Sequence, residues 1–422
     1  MPFRFVHTAD LHLDSPLRSL ALRNADLAEI VRGASRRALV KIVDLCLSEQ
    51  VDALLIAGDL YDGSQTSMNT ALFLGRELRR LDEAGIRVFI IRGNHDAQSQ
   101  VTNELTLPPS AHVFKGRAKP VLAKLLPSGR EVYVHGVSFA QPHAPESLLS
   151  AFQPPILSAV NIGMLHTSLA GASGHDLYAP CSVADLGAHG FDYWALGHIH
   201  QRQVHALRPL IVMPGMPQGR DINEAGVKGV TLVTVEDDGR IGIAEQPIGI
   251  ASFERLDVEL SAWSEWRDML DGVKQALLRV CDVAPAENVI FRLTLSGATP
   301  LAWRLRRDAD LLRGELDNIA AGIAGCWIEK VELACRVPEA ERSGALDPVD
   351  ELAALVQSDV LTAHGFRQEV RAAVEDLLQQ LPPELRQLLA PDEEAVERLS
   401  FDAGASGSAD VLAHLHGGEG TH

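Results

Sequence analysis

Five short stretches of this sequence each close an apolar run with residues able to hold a metal ion: "TADLH" (8–12), "AGDLYD" (57–62), "RGNHD" (92–96), "MLHT" (164–167) and "ALGHIH" (195–200). The ends of strands are where α/β sheets build their sites. A single His after a strand is ordinarily a hydrogen-bonded loop residue. Five such ends together imply a constellation. Asp10, His12, Asp59, Asn94, His166, His198 and His200 form a mixed oxygen and nitrogen set without sulfur. That set suits manganese, iron or zinc in a two-metal site, where one carboxylate bridges and imidazoles fill the remaining positions. Two cations ~4 Å apart activate a water and neutralise a phosphoryl oxygen during in-line attack. The chemistry implied is hydrolysis of a phosphate ester.

Elements of matching character must position these residues. In the first 250 residues apolar runs alternate with helical periodicity: "FRFVHT", a helix near 27–50, "VDALLIAGD", a helix near 67–84 and "VFIIRGN". The runs "EVYVHGVS", "NIGMLHT", "YWALGHIH", "PLIVMPG" and "GVTLVTVE" follow with less helix between them and predict a second sheet packed on the first. After residue 250 the pattern becomes a small β-α-β-α-β unit, with helices at 263–279 and 301–321. From about 337 the chain is acidic and helical, and 401–422, rich in Gly, Ser and Ala, is expected to be mostly disordered. The expected division is therefore 1–250, 251–336, 337–400 and 401–422.

The chain has 422 residues and a net charge of −18. Its acidity is regional: residues 1–250 carry 22 Lys and Arg against 25 Asp and Glu, whereas residues 251–422 carry 16 against 31. A nucleic-acid partner is thus not excluded, although no basic stripe marks one. Five scattered cysteines, none in a C-x-x-C arrangement, argue against both a disulfide framework and a thiolate zinc site. The N-terminus has no secretory h-region and no stretch is apolar for ~18 residues, so a cytoplasmic, nucleoid-associated protein is expected.

The ordered series D-x-H, G-D-x-x-D, G-N-H-D, a solitary His and G-H-x-H resembles the calcineurin-like metallophosphoesterases. The resemblance implies a four-layer α/β/β/α sandwich. It also implies that Asp10, His12, Asp59 and His200 hold one metal, with Asp59 bridging, and that Asn94, His166 and His198 hold the other. His95 would be no ligand: its counterpart protonates the leaving oxygen or steadies the transition-state phosphate, and Asp62 orients it. The long first motif "FVHTADLHLDSPL", the "GDLYD" form of the second and "MPGMPQGRDINE" look like the DNA repair exonucleases of the SbcD/YhaO type. That family carries a small α/β capping domain and C-terminal helices after its phosphoesterase core. Asp at position 62, where archaeal and eukaryotic relatives have His, follows the bacterial form.

The resemblance implies Mn²⁺-dependent hydrolysis of DNA phosphodiesters, 3′→5′ exonucleolytic with endonucleolytic cutting as a further activity. It also implies a homodimer and an SMC-like ATPase partner of the SbcC/YhaN kind, bound through the helices expected at 346–357 and 365–390. Gln218 and Arg220 are candidates to meet the DNA backbone, since an Arg fork matches phosphate geometry. Asp14 and Asp96 read either as groups that support the ligands or, slightly favoured, as turn or helix N-caps, and His7, His135, His143, His175, His189 and His205 as structural. Two other readings share the ligands: a phosphodiesterase or phosphatase of small nucleotides, which the appended domains disfavour, and a regulatory protein tethering an ATPase to DNA, which has no need of seven ligands and an acid.

Overall fold

A computed structural model of the chain describes residues 1–15, 25–62, 67–98, 107–141, 144, 146–169, 178–338 and 348–416. Two compact units divide it: Met1–Glu254 with Cys281–Phe291 and Gly325–Glu329, and Arg255–Val280 with Arg292–Ala324 and Lys330–His422.

The first unit is built on two six-stranded sheets. One sheet contains β1 (Phe3–Thr8), β2 (Ala53–Ala57), β3 (Arg87–Ile91), β4 (Ala111–Val113), β11 (Gly229–Val235) and β12 (Ile241–Pro247), in the order β12-β11-β1-β2-β3-β4. The other contains β5 (Val121–Leu125), β6 (Glu131–Gly136), β7 (Val160–His166), β8 (Tyr193–Gly197), β9 (Gln203–Leu207) and β10 (Leu210–Met213), in the order β5-β6-β7-β8-β10-β9. Strands β1 to β4 run parallel, as do β6, β7, β8 and β10. Their C-terminal ends therefore gather along one rim of each sheet.

The period-2 alternation of strand side chains explains the layering. In β2, Ala53, Leu55 and Ala57 enter one core while Leu54 and Ile56 enter another. In β8, Tyr193 and Ala195 join the first of these cores, and Trp194 and Leu196 face away into a third. The shared core, with Phe5, Phe89, Ile162 and Met164, lies between the sheets. On the outer face of the first sheet, Leu39, Ile42 and Val43 of helix α1 (Ala25–Ser48) and Leu74 and Leu78 of α2 (Met68–Glu83) cover Val6, Val88 and Ile90. On the outer face of the second, Leu186 of α3 (Val183–Ala188) meets Trp194 and Leu196. The four layers expected from the sequence are present.

His7 and His135 are structural, as their positions implied. His7 is buried between the Tyr193 hydroxyl and the Leu196 carbonyl, each 3.0 Å away, and so joins the two sheets. Burial pushes its pKa down to about 3, and burial with nearby His189 takes His135 down to about 4 against its hydrogen bond to Asn161. Both are neutral in the fold but protonate on unfolding below about pH 6.5. Their stability contribution is complete above that pH and is lost as pH falls toward about 4 and then about 3. His7→Gln is therefore expected to flatten the dependence of urea stability on pH between roughly 6 and 4 by about 1.4 kcal/mol per pH unit, measured in chelator. An unchanged slope would refute this.

A third sheet, β13 (Ala251–Glu259), β14 (Asn288–Ala298) and β15 (Cys326–Arg336), alternates with α4 (Trp266–Cys281), α5 (Ala302–Arg307) and α6 (Ala309–Ala321). The single helix expected at 301–321 is broken at Asp308. The unit boundary also differs from the expected break at 250. Ala251, Phe253 and Ile290 pack with Leu27, Val31 and Ile222, which draws the first residues of β13 and part of β14 into the first unit.

The chain continues as α7 (Pro348–Leu355), a π-helical turn (Val356–Val360), α8 (His364–Gln380), α9 (Pro383–Leu389) and α10 (Glu393–His416). Residues 401–416 are thus helical, against the expectation of disorder; 417–422 lie outside the described residues. The small side chains that suggested disorder allow close packing instead. A Cβ on Gly404 would stand 3.3 Å from the Phe366 ring of α8. Arg306 meets Asp410 at 3.0 Å, and the Trp303 and His416 rings stack at 5.5 Å, fixing α10 against α5. Among the described residues no helix is long and apolar enough to cross a membrane.

Candidate metal centre

The backbone after β1 runs beside the backbone after β2. Asp10 N donates to Gly58 O at 3.0 Å, His12 N to Asp59 O at 3.1 Å and Leu13 N to Leu60 O at 2.9 Å. This lacing holds the first two motifs side by side. Several residues of the motifs lie in the left-handed region: φ is 54° at Asp10, 39° at His12, 59° at Asp14, 52° at Asp59 and 101° at His198. Such backbone costs ~1–3 kcal/mol per residue and persists where surrounding structure over-determines it. Gly58, at φ 98°, has a further reason to be glycine, since a Cβ there would stand 2.4 Å from His166 Nδ1.

One sheet supplies Asp10 and His12 after β1, Asp59 and Asp62 after β2, and Asn94 and His95 after β3; the other supplies His166 at the end of β7 and His198 and His200 after β8. The structure brings all nine together. Ligand atoms of Asp10, His12 and His200 lie within 4.8 Å of one another, as do those of Asp59, His166 and His198, and those of His12, Asp62 and His95. Asp59 Oδ2 is 3.3 Å from His166 Nε2 and 3.9 Å from His12 Nε2, so its carboxylate reaches toward both halves. Asn94 Oδ1 lies 3.1 Å from His166 Nε2.

The donor chemistry fits cations. His166 Nδ1 donates to the Ala57 carbonyl at 2.9 Å, which leaves Nε2 presenting a lone pair toward the Asn94 and Asp59 oxygens. His200 Nδ1 donates to Glu224 Oε1 at 2.8 Å, so its Nε2 also presents a lone pair, 3.2 Å from His12 Nε2. Facing lone pairs repel unless a proton or a metal stands between them. For His166 the metal-free balance is a proton: burial opposes the charge, but Asp59 and Asp10 lift its pKa to about 9. Burial raises Asp10 to about 6, which leaves it mostly ionised near neutrality, and lowers His12 to about 3, so His12 adds no positive charge against the Asp10 and Asp59 carboxylates. Two divalent cations, one beside Asp10, His12, Asp59 and His200 and one beside Asn94, His166, His198 and Asp59, would satisfy every donor.

His95 stands apart from this cluster. Its side chain is 40% exposed, against 1% for His12, and its Nδ1 lies 3.1 Å from Asp62 Oδ1. Asp62 accepts from Ser15 Oγ at 2.6 Å. The His95 hydrogen bond holds the Asp62 carboxyl well below the usual range, and Asp62 in turn raises His95. The two form a hydrogen-bonded imidazole–carboxylate pair beside His12, more exposed than the rest of the cluster.

The neighbours divide. Buried Asp96 accepts from the backbone N–H groups of Leu60, Tyr61 and Gly93 at 2.9–3.1 Å, pinning the second motif to the third. Asp14 pairs with Arg36, at 2.7 Å from Nε, and accepts from Thr70. His189 and His205 lie outside the cluster, and His143 and His175 fall outside the described residues.

The expected DNA contacts need correction. Gln218 is buried, and its amide is consumed by the backbone: Nε2 donates to Gly219 O and Ala251 O at 2.7 and 2.8 Å, and Oε1 accepts from Ile250 N and Ala251 N at 2.8 and 3.2 Å. Buried and fully bonded, it splices two segments of backbone and presents no free amide to a ligand. Gln218→Ala is accordingly expected to lower stability by on the order of 3 kcal/mol, read by urea unfolding, because it orphans buried backbone groups. Arg220 turns inward, with Nη2 2.6 Å from Glu224 Oε1 and Nη1 3.9 Å from Asp62 Oδ2. Glu224, 24 residues from His200 in the chain, closes the stretch "MPGMPQGRDINE", but nothing in the sequence pairs it with His200.

Residues 3–202 match the calcineurin-like phosphoesterase family, and residues 253–336 match the middle domain of metallophosphoesterase YhaO. The chain is 33% identical over 316 residues to the uncharacterized metallophosphoesterase YhaO of Bacillus subtilis, covering 74% of this chain and 75% of that protein. It is 28% identical over 247 residues to the DNA double-strand break repair protein Mre11 of Sulfurisphaera tokodaii, covering 56% of this chain and 60% of that one. It is 26% identical over 267 residues to the SbcD component of the nuclease SbcCD of Bacillus subtilis, covering 54% and 66%. The match thus spans three quarters of YhaO and less than two thirds of the Mre11 protein. With its two sheets and its converged donors accounted for, this chain belongs to the calcineurin-like metallophosphoesterases, is a homologue of YhaO, and is a phosphodiester hydrolase.

Proposed function

We propose that the chain is a Mn²⁺-dependent DNA nuclease, 3′→5′ exonucleolytic and also endonucleolytic, that acts in DNA repair as a homodimer with an SMC-like ATPase partner. The observation that carries the catalytic part is the convergence of seven ligands beside an oriented, half-exposed His95. The names of the Mre11 and SbcCD relatives support DNA as the substrate class.

Bound among these ligands, two divalent cations supply Lewis acidity toward a phosphoryl oxygen and toward water. The protein's own groups do the rest. Asp59, between His12 and His166, fixes the spacing of the two halves. Glu224 and the Ala57 carbonyl fix the ring orientation of His200 and His166. His95, 40% exposed and held through Nδ1 by Asp62, keeps Nε2 clear of that pair and hands its proton to the departing deoxyribose oxygen. Such transfer contributes ~100- to 10,000-fold.

The test is cleavage of end-labelled duplex DNA by the purified chain with Mn²⁺, beside a cyclic dinucleotide and a generic phosphodiester, with and without the ATPase. Shortening from 3′ ends is the expected result. Cleavage of the small substrates alone, even with the partner added, would overturn it.

A further inference from the structure

We infer that Glu224 is a positioning residue for the metal centre: it holds the His200 proton on Nδ1, and Arg220 acts on the centre by holding Glu224. The inference rests on the two-cation reading of the site.

Glu224 Oε1 lies 2.8 Å from His200 Nδ1. An ionised carboxylate only accepts, so this contact selects the Nδ1–H tautomer and leaves the Nε2 lone pair facing His12 Nε2 across 3.2 Å. The other tautomer would place a hydrogen in that gap and shut out a cation. Without Glu224 both tautomers become available, and the ring is free to turn.

Glu224 is itself fixed. Arg220 donates from its backbone N to Oε2 at 2.8 Å and from Nη2 to Oε1 at 2.6 Å, with Nε at 3.2 Å from both oxygens. The carboxylate ends a short 3₁₀ turn, Ile222–Glu224, capped by Asp221, whose side chain accepts from Asn223 N at 2.7 Å. Its side chain is 11% exposed, so solvent does little to replace a lost contact. The pairing of an exposed surface bridge would leave a distant ligand unmoved, whereas this one ends on an imidazole of the centre.

The experiment is calorimetric titration of Mn²⁺ into the chelator-stripped full chain, with the melting temperature of the metal-free protein recorded alongside. The wild type should take up two Mn²⁺. Glu224→Gln keeps the shape and loses the charge; it should weaken one of the two sites ~10- to 100-fold and leave the other unchanged, with a metal-free melting temperature lowered no more than that of Arg220→Gln, since both break the same ion pair. Arg220→Gln should weaken the same site less, and the double variant should be no worse than Glu224→Gln alone, because Arg220 works through Glu224. Wild-type affinity at both sites in Glu224→Gln, equal weakening of both sites, or additive effects in the double variant would each overturn the inference. The titration contains no nucleic acid. A wild type that binds two Mn²⁺ but cuts no DNA would therefore sink the nuclease reading and leave this one standing.

Discussion

Replacing Asp59 by asparagine is expected to abolish hydrolysis of every phosphodiester offered, a fall of ~10,000-fold, and to strip most of the bound metal. The Asp59 carboxylate faces His166 at 3.3 Å and His12 at 3.9 Å, so both halves of the centre lose a negative ligand at once. Breaking one buried charge pair costs about 3–5 kcal/mol, and every 1.4 kcal/mol is tenfold. Asparagine is nearly isosteric, and its amide oxygen can still accept from His95 N, which donates to Asp59 Oδ1 at 3.1 Å. The fold should survive. Metal content by elemental analysis, circular dichroism and turnover on duplex DNA give the three readings needed. A folded variant holding a full metal complement and retaining a tenth of its activity would contradict the bridging role.

His95→Ala should behave oppositely. Its turnover should fall ~100- to 10,000-fold while its metal content stays that of the wild type, because His95 belongs to the Asp62 pair and is not one of the seven ligands. The chemistry of the leaving group sharpens this. DNA expels a poor leaving group that needs a proton, whereas a nitrophenyl phosphodiester expels a good one that does not. The variant's deficit should therefore be much smaller on the nitrophenyl substrate. An equal deficit on both would mean that His95 steadies the phosphoryl group and does not protonate the departing oxygen.

The ligand constellation is legible because metal chemistry restricts residue type, and because parallel strands deliver their ends in chain order to one rim. The outer ring is less legible. Glu224 closes the stretch "MPGMPQGRDINE" in a short 3₁₀ turn, and only folding brings it against His200. Gln218 misleads for a related reason: the string "MPQGRDINE" looks polar and loop-like, but its glutamine faces inward and stitches backbone to backbone. Composition also misleads at 401–416. Gly, Ser and Ala suggest a solvated tail, yet in α10 they permit the close approach to α8 that makes the helix worthwhile. The layered architecture can be read from strand alternation, but the point at which β13 to β15 pass from one unit to the other depends on which side chains Phe253 and Ile290 meet, and no local pattern encodes that.

Four of the seven donors hang from the first sheet and three from the second, so filling the centre clasps the sandwich shut along one seam. Cation binding adds RT ln(1 + [L]/Kd) to the folded state. That gain should be unevenly distributed: amide exchange should slow at the ends of β2 and β7, around Ala57 and His166, and stay nearly unchanged in the outlying strands β12 and β5.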